Sequence, residues 1–350
     1  MPSISNTALW LRRPGAAFRV GPAPRTPAGP GEVVVRVRAV AVNPVDGSPG
    51  VAYRLVFPWL TFPAVIGSDV AGEVVEVGAG VTRLRTGDRV VGHAVGVERD
   101  RNRAAEGAFQ HYCVLLAHMV SPIPDELSFA QAAVLPLALS TAATGLFQAD
   151  HLGLPLPTAE PPERGETVLV WGGSTSVGMN AIQLARAAGY RVVATASPHN
   201  FDRLRALGAA EVADYHGRDA AGRVIAAIGD SPLAGVLAIG AGSLPRCLAV
   251  AAGVPGRRRV ASAQPAFVIR LGLLGRRRRG VTVSGIWGGT LKGNEVGPGI
   301  YADYLPAALA AERFRAVPEA MVVGVGLDRI PVALDRLRRG VCAQKIVVTL

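Results

Sequence analysis

Residues Val168 to Met179 read VLVWGGSTSVGM, an apolar run that breaks into a turn of glycines and hydroxyls before AIQLARAAGY. Strand, tight turn and helix in that order make an anion site, because the first N–H groups of a helix lack internal partners and its dipole favours negative charge. The chemistry such a turn serves is the holding of a dinucleotide pyrophosphate. Gly173, Ser174, Thr175, Ser176, Val177 and Gly178 spell G-x-T-x-x-G where the fingerprint is G-x-G-x-x-G. The first glycine allows the turn and the last lets the helix approach the sheet. Thr175 stands where the backbone usually approaches phosphate, so the hydroxyls of Ser174, Thr175 and Ser176 are expected to supply the bonds instead. An ordinary strand-to-helix turn is the alternative; the strands and helix around it favour the cradle.

A second checkpoint lies at the end of the next strand, in RVVATASPHNFDRL. An NAD site keeps a carboxylate there for the ribose hydroxyls. This chain has Ser197, followed by His199 and Asn200. A carboxylate would repel a 2′-phosphate, whereas a hydroxyl and an amide bind it. Ser197 and Asn200, with Tyr215 from the following strand, therefore point to NADPH. Asp202 reads as an acid in the first turn of a helix.

Around this core the 350 residues suffice for two domains, and 49% are hydrophobic, which excludes a disordered chain. Cys113, Cys247 and Cys342 form no CxxC, which excludes a disulfide framework or a metal knuckle and fits a cytoplasmic setting. No signal peptide and no stretch long and apolar enough to span a membrane is expected. The net charge is +11, and Lys292 and Lys345 are the only lysines among arginines. Two runs, Arg257 to Arg259 and Arg276 to Arg279, suggest either a phosphate-binding patch or solvated loops. Aromatics are 5% and none interrupts the runs, which argues against nucleic acid as a partner.

The segments up to about residue 140 are short and β-rich (EVVVRVRAVAV, GEVVEVG, DRVVGHAV), broken by Gly, Pro and Asp. From Ser128 the chain reads as helical apart from Pro136. After the Pro-rich LGLPLPTAEPPERGE, strands and helices alternate from TVLVW to SLPRCLAVAA, the pattern of a doubly wound parallel sheet in an α/β fold. KIVVTL closes the chain as a strand.

With AVNPVDG at Ala41 to Gly47, GSDVAGEVVEVGAGV at Gly67 to Val81 and GDRVVG at Gly87 to Gly92 ahead of the nucleotide turn, nearly the whole chain resembles the medium-chain dehydrogenase/reductase superfamily. The resemblance implies a GroES-like β-rich catalytic domain over 1–140 and 286–350 and a Rossmann cofactor domain over 141–285. Zinc-dependent members take ligands from a Cys on the first segment and a His in GHE. Here Asn43 to Ser48 contains no Cys, the GHE position is Gly67-Ser68-Asp69, and His93 to Gly107 lacks the four-cysteine lobe. The chain is thus expected to bind no metal. It is most similar to the zinc-free quinone reductases and to the trans-acting enoyl reductases of fungal polyketide pathways. Gly172 to Thr175 (GGST), Ser197 to Phe201 (SPHNF) and Ser140-Thr141-Ala142 carry the latter likeness.

That likeness implies NADPH, hydride delivery to a conjugated C=C of a small or carrier-bound substrate, and Thr141 near the nicotinamide. Charge developing on the substrate oxygen must be stabilised without zinc, and Thr141, Asn43 and Tyr53 are the candidates, in that order. Thr141 bonding its own helix backbone and Tyr53 packing in the core are the rival readings. Asp46 reads as a cap for the turn after Asn43, and Trp287 falls where the superfamily lines its cleft. In the enoyl reductases a Lys stands two residues after the Asp of AVNPVD; here that position is Ser48. The vacancy leaves room for reductive cyclisation of a polyene, in which a carbanion closes a ring instead of taking an enzymic proton. Quinone reduction, and NADPH or nucleic-acid binding without catalysis, compete with both reactions. Monomer and homodimer both fit the family.

Overall fold

In the computed structural model the described residues are 5–47, 50–264, 268–269, 273 and 280–350. They form two compact units, residues 1–137 with 292–350 and residues 138–291. The sequence places the two junctions at 140/141 and 285/286.

The second unit is built on six parallel strands: β9 (Thr167–Trp171), β10 (Arg191–Ala196), β11 (Glu211–Asp214), β12 (Leu233–Ala238), β13 (Arg259–Ser262) and β14 (Thr282–Gly285). Their spatial order is β11-β10-β9-β12-β13-β14. Numbered from β9 this is 3-2-1-4-5-6, the dinucleotide-binding order, in which ligands sit beyond the carboxyl ends where the order reverses, between β9 and β12. β9 reads TVLVW and is buried throughout, as a strand covered on both faces must be. Leu169, Val193, Val236 and Val260 pack with Val224 and Ile228 of the helix Ala220–Ile228 and with Leu244, Cys247 and Val250 of the helix Ser243–Gly253. Each such side chain contributes about 1.5–3 kcal/mol by leaving water. The first arginine run is part of this scaffold: Arg257 and Arg259 donate to the carbonyls of Leu152 and Ala149. The second, Arg276 to Arg279, lies outside the described residues.

The first unit carries β1 (Asn6–Leu11), β2 (Arg19–Ala23) and β4 (Ala64–Val65) in a three-stranded sheet. Its larger sheet runs β15 (Glu319–Val325), β16 (Gln344–Thr349), β3 (Glu32–Ala41), β5 (Asp69–Val77), β6 (Arg89–His93) and β8 (Val120–Pro122), with β7 (Tyr112–Leu116) also on β3. Register decides what this sheet presents at one end. Ala41 faces Asp69, Asp69 faces His93, and Val347 faces Ala41. Side chains alternate across a strand, so Lys345, two residues before Val347, falls opposite Asn43.

One sequence expectation is corrected. Phe129–Phe147 is long and apolar enough to cross a membrane by composition, but it is mostly buried in the protein as core. Pro136 splits it into two helices, Phe129–Ala132 and Pro136–Phe147. The first is capped reciprocally: Gln131 N–H donates to the Ser128 hydroxyl, and Gln131 Oε1 accepts the Ser128 N–H.

Candidate active site

The nucleotide turn takes its shape from contacts that leave no room for a side chain. Gly172 has φ +86° and its N–H donates to Thr195 Oγ1 at 3.0 Å, which ties the turn to β10. A Cβ on Gly178 would lie 2.3 Å from the Gly172 carbonyl oxygen and 2.7 Å from Gly173 Cα, so the helix Ser176–Ala187 can sit this close to the turn only as glycine. Thr175 caps that helix: its hydroxyl accepts the Gly178 N–H at 3.0 Å and donates to the Gly172 carbonyl at 2.8 Å. Both roles of the hydroxyl expected to reach phosphate are thus taken up inside the turn, where Thr175 shapes the cradle. Ser174, Ser176 and Val177 are partly exposed at the helix start. A small turn with a half-open helix N-terminus suits a pyrophosphate.

At the ends of β10 and β11 the structure brings together two predicted residues, since the Ser197 hydroxyl lies 3.4 Å from that of Tyr215. The Tyr215 ring stacks on His216, whose Nδ1 lies 2.5 Å from Asp214 Oδ1. Asn200, by contrast, is buried and engaged within the protein rather than presented. Thr141 lies partly exposed in the helix Pro136–Phe147, and Gly288 packs so closely that a Cβ there would be 2.8 Å from Thr141 Oγ1.

In the first unit, Asn43-Pro44-Val45-Asp46 folds into a turn closed by Asp46 N–H to the Asn43 carbonyl at 3.0 Å, with Pro in the position that favours it. Asp46 Oδ2 accepts the Asn43 N–H at 2.8 Å, the cap its position suggests. Beneath it lies a buried ion pair: Lys345 Nζ stands 2.9 Å from Asp69 Oδ2 and donates to Asn43 Oδ1 at 2.6 Å. Asn43 Nδ2 donates to Asp69 Oδ2 at 2.8 Å, and the Leu137 N–H donates to Asp69 Oδ1 at 2.6 Å. Both ends of the Asn43 amide are therefore used inside the sheet end, and it serves the site by holding its turn. Tyr53, on the helix Gly50–Val56, is buried against Phe57, with ring centroids 5.1 Å apart. Burial, with the nearby Asp46 adding to it, pushes its hydroxyl well above the usual phenol range. Ser48, where the family Lys is vacant, lies outside the described residues.

Two titrating groups oppose each other here. Burial pushes Asp46 up to about 7 and His93 down to about 4. Between pH 4 and 7 the folded chain keeps a proton on Asp46 that the unfolded chain has lost, so this group lowers stability as pH rises. His93 does the reverse between about 4 and 6.5. Asp46→Asn removes the first slope alone. Its stability relative to the parent should rise by about 1.4 kcal/mol per pH unit over that interval, measured by urea titration at pH 4.5, 5.5 and 6.5.

The family described as the alcohol dehydrogenase GroES-like domain matches residues 29–125. Dehydrogenase azaJ of Aspergillus niger is 49% identical over 354 aligned residues, covering 99% of both chains. The chain belongs to the medium-chain dehydrogenase/reductase superfamily. Trans-enoyl reductase himH of Aspergillus japonicus is 36% identical, over 99% of this chain and 98% of that one. Among solved structures, a mycobacterial protein complexed with NADPH superposes with TM-score 0.70 at 25% identity, over 99% and 100% of the two chains.

Zinc-dependent members of the superfamily hold their metal where this chain sets Asn43 and the Ser68-Asp69 pair. The donor set does not fit a cation: Asp69 is already neutralised by the Lys345 ammonium, and His93 is the one imidazole on the pairing strand. Among the described residues no three His, Cys, Asp or Glu side chains gather into a metal site. Between His93 and Gly107, where zinc-dependent members carry a cysteine lobe, charges do the fastening. Arg101 NH2 stands 2.7 Å from Glu32 and 2.5 Å from Glu106, and Arg103 NH1 2.7 Å and 2.6 Å from the same two buried acids.

Sequence reasoning missed Lys345 and Thr195. A signal for the lysine was present: in a chain that otherwise uses arginine, a lysine is a choice. Its counterpart Lys292 is also paired, 2.8 Å from Asp100. Thr195 had no signal, since a threonine inside a strand is commonplace.

Proposed function

We propose that this superfamily oxidoreductase is an NADPH-dependent reductase of conjugated C=C bonds in specialised metabolism, working without zinc. The Ser197–Tyr215 hydroxyl pair carries the reading, because it stands where an NAD site would keep a carboxylate and can donate to a 2′-phosphate. The kinship with a trans-enoyl reductase supports the reaction class, and the NADPH-bound structural relative supports the cofactor. When bound, NADPH supplies hydride to the β-carbon of an enone or enoyl group. The chain's own part is to hold the pyrophosphate on the turn Gly173–Gly178 and to meet the charge growing on the substrate oxygen with the hydroxyl of Thr141. Tyr53 offers the substrate a second hydroxyl. Kept protonated by burial, it can donate a hydrogen bond without ionising. Asn43, Asp69 and Lys345 hold the turn that carries Asp46 beside it.

The test compares NADPH with NADH on the parent and on Ser197→Asp, by fluorescence titration. The parent should prefer NADPH by about tenfold or more, as expected for a charge-assisted hydrogen bond, and the variant should lose or invert the preference. Equal affinities in the parent would overturn the assignment. Turnover with enones but not naphthoquinones, and a simple saturated product rather than a ring-closed one, would separate this reaction from its two rivals.

A further inference from the structure

The first unit contains a cavity of about 510 Å³, within the range of about 300–1,000 Å³ typical of small-molecule sites. Leu11, Asp46, Tyr53 and Leu334 form its buried floor, while Ala17 and Arg338 stand exposed at its mouth. The floor pairs two polar groups with unused capacity. Asp46 uses Oδ2 on the Asn43 N–H, and the Asn43 amide is itself used on Asp69 and Lys345, which leaves Oδ1 available. The Tyr53 carbonyl accepts the Phe57 N–H, and its hydroxyl makes no hydrogen bond among the described residues.

Charge decides what fits. An anion entering here would meet the Asp46 carboxyl, and the ammonium nearest it, that of Lys345, is already paired with Asp69. A cation would be stripped of water between Leu11, Phe18, Pro331 and Leu334, and the carboxylate behind the floor is already paired with Lys345. At the mouth, Arg338 pairs with Asp335 and donates to the Gly47 carbonyl, so neither charge there calls for a counter-ion. A neutral hydroxyl meets no such cost. It donates to Asp46 and accepts from Tyr53, and both buried groups are satisfied at once.

Resting on the reductase reading above, we propose that this cavity of the first unit receives a neutral, hydroxyl-bearing part of the substrate. Asp46 and Tyr53 would then select neutral unsaturated substrates that carry a hydroxyl donor on a ring or chain. Above about pH 7, where Asp46 is ionised and the test is run, an ether of the same shape leaves the carboxylate facing an oxygen with nothing to donate, the kind of mismatch by which sites reject analogues most strongly.

The test uses 4-(4-hydroxyphenyl)but-3-en-2-one and its methyl ether. Dissociation constants are measured by calorimetry without cofactor, and kcat/KM by NADPH oxidation, for the parent, Ala17→Trp and Tyr53→Phe. Ala17 is exposed at the mouth, so a tryptophan there obstructs entry without disturbing the core. The expected result is that the parent binds the phenol about tenfold or more tighter than the ether, and that both variants lose this difference. Equal binding of the two compounds, no binding of either, or full phenol affinity in Ala17→Trp overturns the proposal. The reductase reading fails separately: a binding difference that persists while neither enone oxidises NADPH would uphold the cavity and remove the reaction.

Discussion

Lys345→Met should cost the first unit about 3–5 kcal/mol, the range for breaking a buried ion pair from one side. Asp69 is 0% exposed, and without the ammonium its carboxylate keeps only two N–H donors, those of Asn43 and Leu137. The loss propagates to the turn, because Asn43 Oδ1 also loses its donor and Asn43 fixes Asp46. The check is chemical denaturation of the single variant, of Asp69→Asn, and of the pair together. If the pair stores its effect in uncompensated charge, the double variant recovers a large part of what Lys345→Met loses, and the coupling exceeds about 1 kcal/mol. Additive losses would mean that the two side chains act independently.

Gly178→Val should abolish measurable dinucleotide binding while the second unit still folds. Glycine is a poor residue within a helix, and propensity alone would have most replacements stabilise it by up to about 1 kcal/mol. Packing overrules this: a Cβ at 2.3 Å from the Gly172 carbonyl forces the helix start away from β9. The cradle depends on that approach, and displacement of a few tenths of an ångström or more separates the helix N–H groups from a common phosphate. Titration with NADPH should show a loss of at least about a hundredfold, close to 3 kcal/mol. Gly165→Val is the control, since a Cβ there meets nothing within 4 Å; its positive φ costs some stability and leaves the cofactor turn alone.

The sequence made the parallel sheet legible almost element by element, because βαβ units repeat one pattern of apolar runs and amphipathic helices. Ser197 and Tyr215 were legible for the same reason, as strand ends that follow from the pattern. Long-range pairing hid the rest. That Lys345 meets Asn43, 302 positions away, depends on the register of β16 against β3, and that both meet Asp69 depends on a β3–β5 pairing whose register shifts twice. Thr175 shows a subtler limit. The sequence points its hydroxyl at phosphate, and in the structure it bonds within the turn, because a single rotamer decides whether a hydroxyl faces a ligand or its own helix.

The scarcity of lysine has a consequence for chemical wear. Enones and enoyl thioesters alkylate thiols and amines, so a protein acting on them as proposed would be exposed to its own substrates. Cys113 and Cys247 are buried with their thiols pushed up towards the neutral form, and both lysines are held in ion pairs. The positive charge that keeps the surface hydrated is carried by guanidinium groups, which stay protonated and are poor nucleophiles. Among the described residues Cys342 alone offers an exposed thiol. Among the described residues, the thiols and lysine amines thus leave that single side chain open to an electrophile, and Cys342→Ser should slow inactivation by excess enone.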